Sequence, residues 1–200
     1  MRRRRGILAL SVLALAVLAA VLIAPLFQKA IRELSLPLQY QDVIRQEAAT
    51  KHLDSSLVAG VIYAESKFDP RTSRAGAEGL MQLLPQTAAY LAKRSGGTEF
   101  SPADLATPRV NIAYGSYYLR YLMDHYGGQV MPALAAYNAG ITNVDRWVQA
   151  AGGGPETFTV GDIPYPETRA YVERVLRAQR DYRQTYPKQL GYEQRRSPTP

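Results

Sequence analysis

DSSLVAGVIYAESKFDPRTSRAGAEGLMQLLPQTA, residues 54–88, is the stretch from which the fold can be read. Asp54, Ser55 and Ser56 offer side-chain acceptors for the free N–H groups of a helix that begins there and runs to about Ser66. Within it Val58, Val61, Ile62 and Glu65 stand at i, i+3, i+4 and i+7, which share one helical face. Val and Ile make that face the buried one, so Glu65 falls at the C-terminal edge of an apolar stripe. The positions three and four residues away hold Val61, Ile62, Phe68 and Asp69, none of them basic. Burial raises a carboxyl pKa, and so does the partial negative charge at a helix C-terminus. Both favour a carboxyl that keeps its proton near neutrality, as a general acid must. The helix alone fits a boundary glutamate turned to water at least as well.

Outward from this helix the pattern stays helical, without internal repeats. One helix is expected at Gln41 to Lys51. Residues 67–84, rich in Gly, Ser and Pro, predict a loop or small hairpin. Pro85 suits a first helical position and opens a helix that ends near Ser95-Gly96-Gly97. Another spans about Pro108 to Tyr126 and stops at Gly127-Gly128. Two short helices bracket Asn138–Gly140, and a loop with Gly152–Gly154 leads to a last helix from about Pro166 to Tyr186. The expected domain is residues 40–186, mainly α with one small β element. Residues 28–39 read as a linker, and 187–200 as a polar, disordered tail. The basic residues Arg174, Arg177, Arg180, Arg183, Lys188, Arg195 and Arg196 read as a solvated helix face and tail; docking onto anionic wall polymers is the alternative.

The chain has 200 residues and a net charge of +7, but four of its 24 basic residues form the run Arg2–Arg5. Beyond residue 27 this leaves 20 basic against 17 acidic residues. With no basic stripe interleaved with aromatics, nucleic-acid binding is excluded as a reading. There is no cysteine, and the histidines are only His52 and His125, so neither a disulfide framework nor a Cys- or His-based metal site is expected.

After Arg2–Arg5, residues 6–27 (GILALSVLALAVLAAVLIAPLF) carry no charge. As a helix they are long enough to cross a hydrocarbon core of roughly 30 Å. The run exceeds the 7–15 apolar residues or so of a cleaved signal peptide, and Pro25 follows the small residues that would mark a cleavage site. A single transmembrane anchor is therefore expected. The arginines before it place residues 1–5 in the cytoplasm and the rest outside the cytoplasmic membrane.

Glu65-Ser66-Lys67-Phe68-Asp69-Pro70 continues into SRAGAEGLMQLLPQTA at 73–88. Further blocks follow in order: Asn111-Ile112 with Gly115, Tyr118 and Leu119; Ala133 to Gly140 (ALAAYNAG); and Ile163-Pro164 with Glu167-Thr168-Arg169-Ala170-Tyr171-Val172. Over about residues 45–180 the chain resembles the soluble-type lytic transglycosylase domain, a branch of the lysozyme superfamily. The resemblance implies a lysozyme-like helical fold and cleavage of bacterial peptidoglycan glycan strands without cofactor or metal. It implies Glu65 as the catalytic acid/base, and Ser73, Met81, Gln82, Tyr137, Asn138 and Tyr171 as residues walling the glycan cleft. Ser73 follows Glu65 by eight residues, one fewer than the family spacing. Plain structural readings stand beside these roles: Met81 as core filler, Gln82 as a loop tie, Tyr137 as a core tyrosine with a satisfied hydroxyl. Gly76, Gly79 and Gly140 read as turn residues.

Ordinary glycosidases need two carboxylates, and the motif supplies one. Asp69 reads as a turn residue before Pro70, and Glu78 falls at a variable motif position. One carboxyl suffices where the sugar's own C6 hydroxyl is the nucleophile, which is the family's chemistry. A hydrolase of the same fold and a non-catalytic glycan-binding envelope protein are the competing readings.

Overall fold

The computed structural model describes residues 21–24, 34–96 and 100–192. It divides into two units, Met1–Pro37 and Leu38–Pro200. Of the first, residues 21–24 are helical with Val21, Leu22 and Ile23 exposed. The expected cytoplasmic segment 1–5 and most of the expected anchor at 6–27 lie outside the described residues. Among the described residues no helix is long and apolar enough to cross a membrane.

The second unit is built from α-helices, here α1 (Gln41–Thr50), α2 (Ser55–Ser66), α3 (Pro85–Ser95), α4 (Pro108–His125), α5 (Val130–Ala139), α6 (Ile141–Ala150) and α7 (Pro166–Thr185). Their ends fall where local chemistry puts them. The Asp54 carboxylate accepts from the Ser56 and Leu57 N–H groups, Pro85, Pro108 and Pro166 open their helices, and Gly96 closes α3 in the left-handed region. Two 3-10 turns, Pro102–Ala106 and Val160–Asp162, were not expected. Each carries a capping box, Ser101 with Asp104 and Thr159 with Asp162, a spacing visible in the sequence. The small β element takes the form of two isolated antiparallel bridges, Thr72 with Glu78 and Glu78 with Leu83.

Helix α2 is the hub. Every residue from Ser55 to Ile62 is buried, which an amphipathic surface helix would not allow. It packs most extensively on α7. Gly60 sits at that crossing: a Cβ there would stand 3.0 Å from the Val175 carbonyl oxygen and 3.1 Å from the Gln179 nitrogen. The two helix backbones approach so closely because Gly60 has no side chain.

Residues 187–192, placed with the tail by the sequence reading, are instead packed on the domain. Leu190 is buried, its carbonyl accepts from Ser55 Oγ at 2.6 Å, and the Gln189 carbonyl accepts from Arg45 at 2.8 Å. The Tyr192 hydroxyl donates to the Asp54 carboxylate, which Arg183 also engages. Burial pushes the Asp54 pKa up, but the bonds from Ser56 and Tyr192, the Arg183 charge and the Leu57 N–H outweigh it and hold it below the usual value. An apolar residue and a tyrosine with a partly buried partner supply what a polar tail lacks. Residues 193–200 lie outside the described residues. Of the basic residues on α7, Arg174, Arg177, Arg180 and Arg183 are exposed.

Candidate active site

Helix α2 ends at Ser66, and the next two residues, Lys67 and Phe68, both take positive φ (54° and 64°). Neither is glycine, so the reversal is strained and must be held by its surroundings. Phe68 is buried, its ring 5.9 Å from that of Tyr182. Ser66 is buried too, and its hydroxyl donates to the Leu80 carbonyl at 2.7 Å. The residue after Glu65 thus ties the helix end to the loop that follows. Glu65 itself is only partly buried and faces a groove of about 540 Å³.

That loop is pinned from α4. Asn111 is fully buried; its Oδ1 accepts from the Met81 N–H at 2.7 Å, and its Nδ2 donates to the carbonyls of Glu78 (2.8 Å) and Leu105 (3.0 Å). One amide thus satisfies the Met81 N–H and the Leu105 carbonyl and adds a second bond to the Glu78 carbonyl, which also accepts from the Leu83 N–H. Gly79, with φ +75°, leaves room for it: a Cβ there would lie 2.3 Å from Asn111 Nδ2. One turn on, Gly115 makes room for Met81, whose Sδ would be 2.3 Å from a Cβ at that position. Asn111 and Gly115 belong to a motif block for which the sequence reading had no role. Their role is to seat the 67–84 loop. The positive φ of Gly76, Gly79 and Gly140 agrees with their reading as turn residues.

Of the residues expected around the cleft, Glu65, Ser73, Gln82, Tyr137 and Asn138 all line the groove. Ser73 does so despite its shortened spacing; its Oγ accepts from the Ala77 N–H at 3.0 Å. Gln82 takes φ +47° and donates its amide to the Arg71 and Gly79 carbonyls, so it ties its loop as well as facing the groove. Tyr137 donates to the Met81 carbonyl at 2.9 Å, and Asn138 Oδ1 accepts from Thr168 Oγ1 at 2.8 Å. Two expectations need correction. Met81 is fully buried in the pocket left by Gly115 and does not line the groove. Tyr171 is also buried and outside the groove lining. Its contribution is to Glu65 and not to a wall.

Beside several apolar lining residues, three that carry polar groups had no role in the sequence reading: Thr87 on α3, Tyr118 on α4 and Glu167 on α7. Tyr118 and Glu167 fall within the motif blocks, and Tyr118 packs its ring 5.1 Å from that of Tyr137. Glu167 brings a second carboxylate to the groove, on the first turn of α7.

Burial pushes the Glu65 carboxyl up to about 7, against the opposing pull of Tyr171 and of the Arg174 charge. The Tyr171 oxygen is buried and has no partner at full hydrogen-bond geometry, so its interaction with Glu65 is a distorted one. Burial and the Glu65 charge push the Tyr137 and Tyr171 phenols well above their usual range, which keeps both hydroxyls protonated donors. Burial takes Tyr118 to about 12. The groove therefore holds one carboxyl poised between its two protonation states, with neutral donors and acceptors and the Glu167 carboxylate also on its walls.

The model of the transglycosylase SLT domain matches residues 42–157. The soluble lytic murein transglycosylase of Escherichia coli K12 is 34% identical over 154 residues, 76% of this chain and 24% of that protein. Among solved structures, the 70 kDa soluble lytic transglycosylase of Escherichia coli superposes with a TM-score of 0.72 at 30% identity, covering 82% of this chain and 27% of that one. An inactive glutamate-to-glutamine mutant of the lytic transglycosylase Slt from Pseudomonas aeruginosa gives 0.70 at 30% identity, over 82% and 26% of the two chains. This chain spans about a quarter of the length of these relatives.

Proposed function

Because the chain belongs to the transglycosylase SLT domain family, we propose that it cleaves the β-1,4 bond between N-acetylmuramic acid and N-acetylglucosamine in peptidoglycan, with Glu65 as sole acid and base. The observation that carries this reading is a carboxyl with its pKa raised to about 7, on a groove wide enough for sugar rings. Protonated Glu65 gives its proton to the bridging oxygen, and the N-acetylglucosamine side leaves with a free C4 hydroxyl. The muramic acid N-acetyl carbonyl stabilises the positive charge developing at C1. Glu65, now a carboxylate, takes the proton of the C6 hydroxyl, whose oxygen bonds to C1 and closes a 1,6-anhydro ring. The enzyme ends protonated as it began, and no water is consumed.

The surroundings suit both halves of this cycle. Burial favours the acid form, while Tyr171 and Arg174 stabilise the carboxylate that must exist between the two proton transfers. Ser73, Gln82 and Asn138 supply neutral polar groups for hydroxyl and N-acetyl groups. In the Pseudomonas relative, a single glutamate-to-glutamine exchange gives an inactive enzyme.

Glu167 favours a second reading, since two carboxylates on one groove are what a hydrolase uses. Mass spectrometry of the products from purified peptidoglycan decides between them. Anhydro ends are expected; reducing ends, heavier by one water, would replace the transglycosylase reading with hydrolysis.

The uncharged run 6–27 behind Arg2–Arg5 supports a single-pass anchor in the cytoplasmic membrane, with the helical domain on the outer side, where its substrate lies. The full chain is expected in salt-washed membranes. Recovery in the soluble fraction would overturn the anchor.

A further inference from the structure

A second surface leads away from the groove between α3 and α4. Thr87 on α3 and Tyr118 on α4 line the groove. Three residues further along each helix, close to one turn or about 5 Å, stand Tyr90 and Tyr121, their ring centroids 6.2 Å apart and edge to face. Tyr118 and Tyr121 stack at 6.5 Å with their planes 17° apart, so a chain of ring contacts leads from the groove to this surface. Arg94, a further turn along α3, holds its guanidinium carbon 5.0 Å from the Tyr121 ring centroid. The proposed reaction uses none of these three residues.

Their chemistry is specific. Tyr90 is 51% exposed, an aromatic ring presented to solvent where a core position would hide it. Arg94 is exposed and makes no ion pair among the described residues, whereas neighbouring Arg120 pairs with Asp124. Tyr121 fixes the Arg94 guanidinium over its face, which lowers the entropy cost of using it. An aromatic ring beside a preorganised, uncommitted cation suits a sugar that carries a carboxylate. A glycan strand long enough to fill the groove must leave it along some surface, and this one is continuous with it.

We propose that Tyr90, Tyr121 and Arg94 form an outer subsite for the same strand, with Tyr90 against a sugar ring and Arg94 on a carboxylate of the peptide stem borne by that sugar. The proposal rests on the groove being a peptidoglycan site. Its test is binding with catalysis disabled: the full chain carrying Glu65→Gln is titrated with soluble, uncross-linked glycan strands that keep their peptide stems, and with the same strands stripped of stems by an amidase and the lactyl carboxylates so freed capped as methylamides. Adding Arg94→Gln is expected to weaken binding to the intact, stem-bearing strands about fivefold and to abolish most of the preference for intact over stripped material. Arg94→Lys should restore part of that preference. Tyr90→Ala should weaken binding to both materials, by about threefold. An Arg94→Gln effect that is absent, or equal on the two materials, overturns the proposal. The product analysis of the unmodified chain is a separate readout, so failure of the transglycosylase reading would show there and not in the intact-to-stripped ratio.

Discussion

Glu65→Gln is expected to lower the release of anhydro-muropeptides by about 10³-fold or more while leaving the fold and sacculus binding intact. Glutamine keeps the shape of the protonated carboxyl but can neither give nor take the proton, and general acid–base groups contribute about 10²–10⁴-fold. In the proposed cycle one group serves both steps, so the upper part of that range applies. The carboxyl with its pKa pushed up to about 7 also sets the pH dependence of the wild type: kcat/KM should fall as pH rises through that region and the acid form is lost. The same shift fixes a sign for stability. Between about 4.5 and 7 the native state holds a proton that the unfolded chain has released, so stability declines as pH rises across that window. Above it the full cost of a half-buried carboxylate is present; below pH 4 it is absent. Glu65→Gln should therefore be more stable than wild type by about 2 kcal/mol at pH 8, after allowance for the open side of the groove, and equal to it at pH 4. Urea unfolding at the two pH values measures this. A variant that is active, or that loses stability at pH 8, would remove Glu65 from the role.

Asn111→Leu is expected to cost about 3–5 kcal/mol. The two side chains branch alike and Leu is the larger, so no cavity forms, but the Met81 N–H and the Leu105 carbonyl lose their partner, while the Glu78 carbonyl keeps its bond from the Leu83 N–H. Each buried polar group left unpaired costs about 1–3 kcal/mol, less whatever local relaxation recovers. The damage should not be confined to stability. The 67–84 loop carries Ser73 and Gln82 to the groove, so the folded fraction of Asn111→Leu should also show a raised KM. A variant that unfolds within 1 kcal/mol of wild type would mean that water or a rearranged loop satisfies those groups, and that Asn111 does not pin the loop.

How much of this was open to sequence reading depended on the range of the forces involved. Helix ends set by Asp54, Pro85, Pro108 and Gly96 were legible, because capping and φ restriction act within one turn of chain. So was the position of Glu65 at the end of an apolar stripe. What periodicity could not tell was which side of a loop residue faces the groove. Met81 and Tyr171 have side chains that suit a sugar cleft, yet Met81 is drawn into the space left by Gly115, and Tyr171 is buried on the first half of α7. Both outcomes depend on long-range partners. Tyr118 and Glu167 were missed for the converse reason: they lie on helices far along the chain and reach the groove only through packing. The 3-10 turns were legible in principle, since Ser101 with Asp104 and Thr159 with Asp162 stand at capping-box spacing. Neither borders an apolar periodic run, the context that marks a capping box as the start of a helix.

The fastening of Tyr192 and Leu190 near the start of α2 has a bearing on how such a domain can be reused. Arg45, in the second turn of the first helix, reaches Gln189, so the polypeptide enters and exits the helical unit on the same side. Asp54 marks that side, and Glu65 lies eleven residues along the same straight rod, about 16 Å away. Modules spliced on upstream or downstream of the helical unit would join it on the side away from Glu65. A domain wired this way behaves as a cassette, which suits a fold that in its relatives makes up only a quarter of a much longer polypeptide.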